Sequence, residues 1–350
     1  MSKRIRTKPT RFLLANILAL LVSLLMTRAL LMPMFEEQQH TIYHNRLTTI
    51  AENIARFIQA RKAEVRVLAN SPTIQSMDWE VAKPFLMSQL ATKHSNFEKF
   101  VVGLPSSHFY NTVGGNPHYG GLNTFDDSDP NAKLKSIVKR DYWRVTVKNN
   151  LDHLQVDYVS NPMISYTSGI KQVILASTIH RDNKVVGLLG GSISWDRITQ
   201  LLDEVTKPTS DKNTNVMLVS KDGNYWYHWD KKKVLEVRKD AKGNPLKNEI
   251  GEKSVQLFNI LTEESEPLKS LGRNMVAGKQ GSEALEMNGE NYQVFFMPIE
   301  STNYSIAYVV SSEHYQSPWY QLHIYLLVAF IAGMLAYIFY VYLVPKNSAK

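Results

Sequence analysis

Not one of the 350 residues is cysteine, so the chain has no disulfide framework, no thiolate metal site and no cysteine nucleophile. Other absences narrow the chemistry further. There is no G-x-S-x-G elbow, no H-E-x-x-H and no P-loop. Nothing in the residue order assembles a catalytic constellation, and the expectation is a protein that is not an enzyme and carries no cofactor. The net charge of +8 and a pI near 9.3 invite a nucleic-acid partner. That class is set aside, because membrane topology accounts for much of the basic charge and the rest is scattered. A mean hydropathy of −0.25 means that the bulk of the chain is water-soluble.

Two apolar runs depart from that average. Residues 1–11 hold Lys3, Arg4, Arg6, Lys8 and Arg11 and no acidic residue, and Phe12 to Phe35 is then almost wholly apolar. That run is long enough to cross a bilayer. It is longer than the core of a signal peptide and no small-x-small cleavage site follows, so it is read as an uncleaved anchor, with Arg28 snorkelling near its outer end. The second run, Tyr320 to Val344, has Tyr320, Tyr325, Tyr337, Tyr340 and Tyr342 gathered toward its ends, as an aromatic belt would be. The basic amino terminus sets that end inside the cell. The two spans then leave residues 36–319 outside the inner membrane and return residues 345–350 to the cytoplasm.

Between the spans the patterning is mixed. In residues 36–70, Ile50, Ile54, Phe57, Ile58, Val65 and Leu68 recur at threes and fours, which predicts one long stalk helix ended by Ser71-Pro72. Asp78 reads as the cap of a second helix through Lys93, and Phe97 to Gly103 and Ser106 to Thr112 as strands. Gly114 to Pro130 is a Gly/Asn/Asp/Pro-rich loop placed to fold over a pocket. Its Asp126, Asp127 and Asp129 lack the calcium-loop order and read as a solvated turn. A short amphipathic segment then carries Arg140, Tyr142 and Trp143. Val156 to Ile164 is extended, and Gln172 to Ile179 and Val185 to Ile193 are strands joined by residues 180–184. Ser194 to Glu204 is helical and Lys207 to Asn215 is a polar linker. A hairpin turning at Asp222-Gly223, helical segments within Gly251 to Ala277, and three strands in 281–287, 293–299 and 305–310 complete a second sheet.

The order R-x-Y-W, then S-N-P…S-G, then G-x-x-G-G-x-I-S resembles the membrane-distal half of a double Cache domain, the extracytoplasmic sensor of bacterial chemoreceptors, histidine kinases and cyclic-di-GMP enzymes. The likeness is nearest to sensors placed ahead of diguanylate cyclases. It implies an α+β fold with a long stalk helix and two PAS-like antiparallel-sheet modules, distal in residues 71–206 and proximal in 207–319, and a homodimer paired through the stalk. It also implies ligand contacts in the distal module, at Tyr110, Arg140, Tyr142, Trp143, Ser165 and Ser192. The amino-acid-binding subgroup has acidic residues where this chain has Met163-Ile164-Ser165 and Ser192. The implied ligand is therefore a carboxylate or another non-amino-acid metabolite, gripped by Arg140.

Other candidates have plainer readings. His40 and His44 stand one helical turn apart but have no third metal ligand near in sequence. His228, in the run Tyr225 to Asp230, reads as one position of a strand rather than a second ligand site. Lys231, Lys232 and Lys233 read as a solvated turn, with lipid headgroups as the alternative. The expectation is a two-pass membrane sensor whose output domain or separate signalling partner lies outside these residues. A non-signalling, membrane-tethered solute-binding or assembly protein is the alternative.

Overall fold

The computed structural model describes residues 16–18, 22, 25–92, 96–113, 136–165, 167–206, 214–246, 254–287, 289–300 and 302–343. Helix α1, Met32–Ala69, is the stalk. Its 38 residues extend roughly 57 Å at 1.5 Å per residue. Tyr43, Leu47, Ile50, Ile54 and Ile58 fall at spacings of three and four on one stripe, followed by Val65, Leu68 and Ala69, and all are buried. A proline after Ser71 stops the helix, and the Ser71 hydroxyl starts a single turn, Pro72–Gln75, by accepting from Ile74 N. Asp78 does the same for α2, Trp79–Leu90, accepting from Glu80 N at 3.0 Å.

The distal sheet has the order β2-β1-β6-β5-β3, with β4 also paired to β5. Its strands are β1 Lys99–Gly103, β2 Phe109–Asn111, β3 Asp157–Val159, β4 Met163–Ile164, β5 Lys171–Arg181 and β6 Lys184–Ser194, antiparallel throughout. The connection between β5 and β6 is shorter than the sequence suggests. Only Asp182 and Asn183 turn, both at positive φ (51° and 58°), and His180 and Arg181 continue the strand. Because side chains alternate, Phe100, Val102, Val173, Leu175 and Leu189 face α1, while Val101, Ile174, Ala176 and Leu188 face outward. Over that outer face lie a short helix α3, Asp141–Trp143, and a π-helical turn, Arg144–Lys148. The Gly-x-x-Gly-Gly run lies within β6, as its β-branched setting suggests. Gly191 leaves room for Phe97 and for the stalk, since a Cβ there would stand 2.5 Å from the Phe97 ring and 3.0 Å from Val65 on α1.

Helix α4, Trp195–Thr206, leads to the proximal module. Its main sheet has the order β11-β12-β13-β7-β8, built from β7 Thr214–Ser220, β8 Tyr225–His228, β11 Gly281–Met287, β12 Glu290–Pro298 and β13 Tyr304–Ser311. One face packs on α1, where Tyr43 lies 5.6 Å from Phe295 and 6.0 Å from Tyr308. The other is covered by α5, Glu266–Val276, through Leu268, Leu271 and Met275. The stretch expected to be helical is partly extended instead: β10, Val255–Leu257, pairs with β9, Leu235–Val237, in a separate ribbon. The modules touch where Tyr304 donates to Val159 O (3.3 Å) and Lys171 Nζ to Leu235 O (3.1 Å), with Trp226 between Trp195 and Tyr304.

From β13 the chain passes directly into α6, Ser312–Leu343, so residues 312–319 belong to the same helix as the apolar run that follows. Its window Ser312–Ala336 is long and apolar enough to cross a membrane, and among the described residues it is the one helix that is. The expected first span, 12–35, is described in part: Thr27–Leu31 form a π-helical stretch and the residues from Met32 onward belong to α1. The loop 114–130 and most of the linker 207–215 lie outside the described residues. His40 Nε2 lies 3.1 Å from Ser282 Oγ, which places that histidine on the proximal sheet edge.

Gly191→Ala should overpack the contact between β6, Phe97 and the stalk and cost about 1–3 kcal/mol. The melting midpoint of the purified chain would fall accordingly, and an unchanged midpoint would show that α1 can move away without loss.

Candidate distal ligand site

Alternation along β1 sends Lys99 outward with Val101, into the layer between the sheet and the chain crossing it. Lys99 is only 2 % exposed, and its Cα partner across the ladder is Ser192. Three hydroxyls receive its ammonium: Ser165 Oγ, Thr167 Oγ1 at 3.0 Å and Ser168 Oγ at 3.2 Å. They are gathered by one tight turn. Ser165 Oγ accepts from the backbone N–H of Thr167 (3.2 Å) and Ser168 (3.0 Å), and Gly169, at φ 71°, closes the turn with its N–H on Ser165 O. Asn111 Nδ2 donates to Thr167 Oγ1 at 2.8 Å, and Ser192 Oγ donates to Gln172 Oε1 at 2.7 Å.

Arg140 lies at the edge of this polar patch, its Nη2 donating to Ile164 O at 2.9 Å, one residue before Ser165. Burial lowers the Lys99 pKa from its ordinary value to about 7; the neighbouring Glu98 opposes that shift and the positive Arg140 adds to it. Among the described residues Lys99 forms no ion pair, only bonds to hydroxyls. The Lys99 ammonium, held among the described residues by neutral acceptors, therefore lies within the field of the Arg140 charge. An entering anion gains from both charges, and a bare cation is repelled by both.

Of the residues expected at the ligand, Arg140, Ser165 and Ser192 come together around Lys99. Tyr142 and Trp143 are buried beside them with Val101, Phe109 and Met163, and form an apolar floor. The Trp143 indole N–H is bonded to Leu104 O at 3.0 Å, so this side chain offers a wall and its donor is engaged within the protein. Tyr110 is not brought to the site. It follows Phe109 on β2, so it points to the opposite face and stacks on Trp79 at 5.3 Å. Lys99, Asn111, Thr167, Ser168 and Gln172 were not singled out in the sequence. The available signal was a lysine heading an otherwise apolar strand, KFVVG, in phase with its outward side.

Asp141, next to Arg140, has its oxygens engaged within the protein. Oδ1 accepts from Tyr142 N (2.9 Å), and Oδ2 accepts from Asn161 N (2.7 Å) and Tyr158 Oη (3.3 Å). Burial raises its pKa against those bonds. It fastens α3 to the β3–β4 connection and so positions Arg140.

The lysine leaves a signature in stability. A folded-state pKa near 7 against an ordinary 10.5 means that, between those values, the unfolded chain holds more protons at this site. Stability from Lys99 is therefore least below pH 7 and rises as pH increases toward 10.5. The melting midpoint of the full chain in detergent should climb from pH 7 to pH 9, and Lys99→Met should flatten that climb. A climb of equal size in the variant would remove Lys99 as its source.

The site and fold can be set beside known proteins. The Cache domain profile (dCache_1) matches residues 33–319. A search of curated proteins returned no match. Among solved structures, the ligand-binding domain of the Pseudomonas fluorescens chemoreceptor CtaA bound to L-isoleucine is 16 % identical with a TM-score of 0.52, covering 80 % of this chain and 95 % of that one. The same domain bound to L-serine is 15 % identical with a TM-score of 0.52, covering 79 % and 99 %. The extracellular domain of the histidine kinase mmHK1S-Z3 is 17 % identical with a TM-score of 0.56, covering 81 % and 98 %. At such identities the solved structures speak for the fold, and the profile match over most of the chain settles the family: this chain belongs to the Cache domain family.

Proposed function

We propose that the chain is a membrane-anchored sensor whose distal module binds a small carboxylate-bearing metabolite outside the cell membrane. One observation carries this reading: a buried lysine whose partners among the described residues are hydroxyls, beside an arginine, at the outer face of the distal sheet. The carboxylate would take the place of some hydroxyl contacts on Lys99 and draw on Arg140, while Tyr142 and Trp143 wall the rest of the molecule. Binding would favour the arrangement in which α3 and the Ser165–Gly169 turn are held together, and only that difference in affinity can carry a signal. The signal then travels through α1, α6 and the expected first span to an output domain or a separate partner, within a dimer paired along the stalk. A non-signalling solute-binding protein would use the same pocket without that coupling.

A second reading, an α-amino acid, is favoured by the CtaA structures, which hold L-isoleucine and L-serine. Both readings share the carboxylate and differ over the ammonium. Against the amino acid stand the two cations at the site and the engagement of Asp141 by its own neighbours.

Lactate and alanine separate the two, since they differ only in a hydroxyl for an ammonium. In isothermal titration of the full chain in detergent, lactate should bind at pH 6.5 and alanine should bind more weakly or not at all. Lactate affinity should fall by about tenfold per pH unit above 7, as Lys99 loses its proton. Lys99→Met and Arg140→Ala should each abolish it. Alanine binding that survives Lys99→Met would establish the amino-acid reading instead.

A further inference from the structure

The proximal module has a cleft of about 660 Å³ bounded by β8, the β9–β10 ribbon and the start of α5, within the usual size of small-molecule sites. At its back is His228, 4 % exposed, on the last position of β8. Its Nδ1 accepts from Asp230 N at 2.9 Å, which fixes the tautomer: Nε2 carries the hydrogen. Nε2 makes no hydrogen bond among the described residues, and the histidine lines the cleft. Burial and the nearby Lys233 hold its pKa down at about 4, so the ring stays neutral, and Nε2 remains a donor, across the physiological range.

The adjacent surfaces are aromatic. Trp229 stacks on His228 with ring centroids 3.9 Å apart and planes 26° apart, and it remains 36 % exposed. Tyr292 lies on another wall, with its hydroxyl on Glu290. The charges are mostly spent. Lys233, expected in a solvated turn, instead reaches Glu263 at 2.9 and 3.0 Å, and Tyr225 donates to the same carboxylate at 2.9 Å. Asp230 and Glu264 remain on the lining, so the balance of Asp230, Glu263 and Glu264 against Lys233 is negative. A neutral donor, a stacking face and a negative border together select a flat ring that presents an acceptor and carries no negative charge.

We propose that this cleft is a second ligand site, for an uncharged or cationic heteroaromatic ring with a ring or exocyclic acceptor facing His228 Nε2. Its chemistry is opposite to that of the anion-selecting distal site, so the two modules read different molecules. The location also suits a sensor. Tyr292 is the Cα partner of Ser311, the last residue of β13 before α6 begins at Ser312. An occupant pressed on Tyr292 therefore bears on the strand end that leads into the membrane helix.

The test is isothermal titration of the full chain in detergent with adenine, nicotinamide and benzoate, the last as a flat anion. Adenine or nicotinamide should bind and benzoate should not. His228→Phe, which keeps a ring but loses the donor, should weaken binding at least tenfold. Trp229→Ala, at a partly exposed position, should do the same without disturbing the core. Lys99→Met should leave this binding within twofold, which separates it from the distal site. Failure of both bases to bind, equal binding of benzoate, or binding that survives both proximal variants or depends on Lys99 would overturn the proposal.

Discussion

Everything in this molecule is hung on one apolar stripe. The side chains from Tyr43 to Ile58 on α1 are buried against the proximal sheet and its surroundings, and Val65, Leu68 and Ala69 continue the burial into the distal module. Burying a residue such as Leu47 or Ile50 contributes about 1.5–3 kcal/mol. Neither sheet can cover its inner face without this helix, because each has its second layer elsewhere: α3 and its π-turn on the distal sheet, α5 on the proximal one. The ion pair of Arg66 with Asp157 at 3.2 Å adds a polar tie between the stalk and the distal edge strand. Two modules with separate sequences therefore share one core element.

That shared element was also the most legible part of the sequence, because a 3.6-residue period sustained over many turns has few rival explanations. The long β-branched runs of β5 and β6 and the hairpin at Asp222-Gly223 were legible for the same reason, being strong local signals. Short elements were not. The strands β9 and β10 are three residues each and far apart in the chain, and only their pairing makes them strands. Until the partner is known, Val255 to Leu257 has too few residues to show a period.

The site was less legible than the fold, and the causes are specific. Tyr110 and Phe109 differ by one position, yet in a strand that single step exchanges the two faces of the sheet. Lys99 was passed over because a lysine at a strand start ordinarily reaches into water. Here the turn after Ser165, distant in sequence, folds over it and keeps water away. Trp143 and Lys233 find their partners, Leu104 O and Glu263, in other segments, so a lysine that reads as part of a solvated turn is tied down instead. Chemical capacity is written in the residue, and its use is written in the tertiary contact.

The junction of β13 with α6 has an evolutionary consequence. Ser311 ends a strand whose register is locked to β12, and Ser312 opens a continuous helix, with no residue between them. A helix turns about 100° per residue, so inserting or deleting a single residue here would rotate every side chain of α6 by that angle relative to the sheet. Substitutions can drift at this joint, but its length cannot. Related chains that keep the same orientation between sheet and helix are bound to preserve the residue count across it, even where their sequences have otherwise diverged.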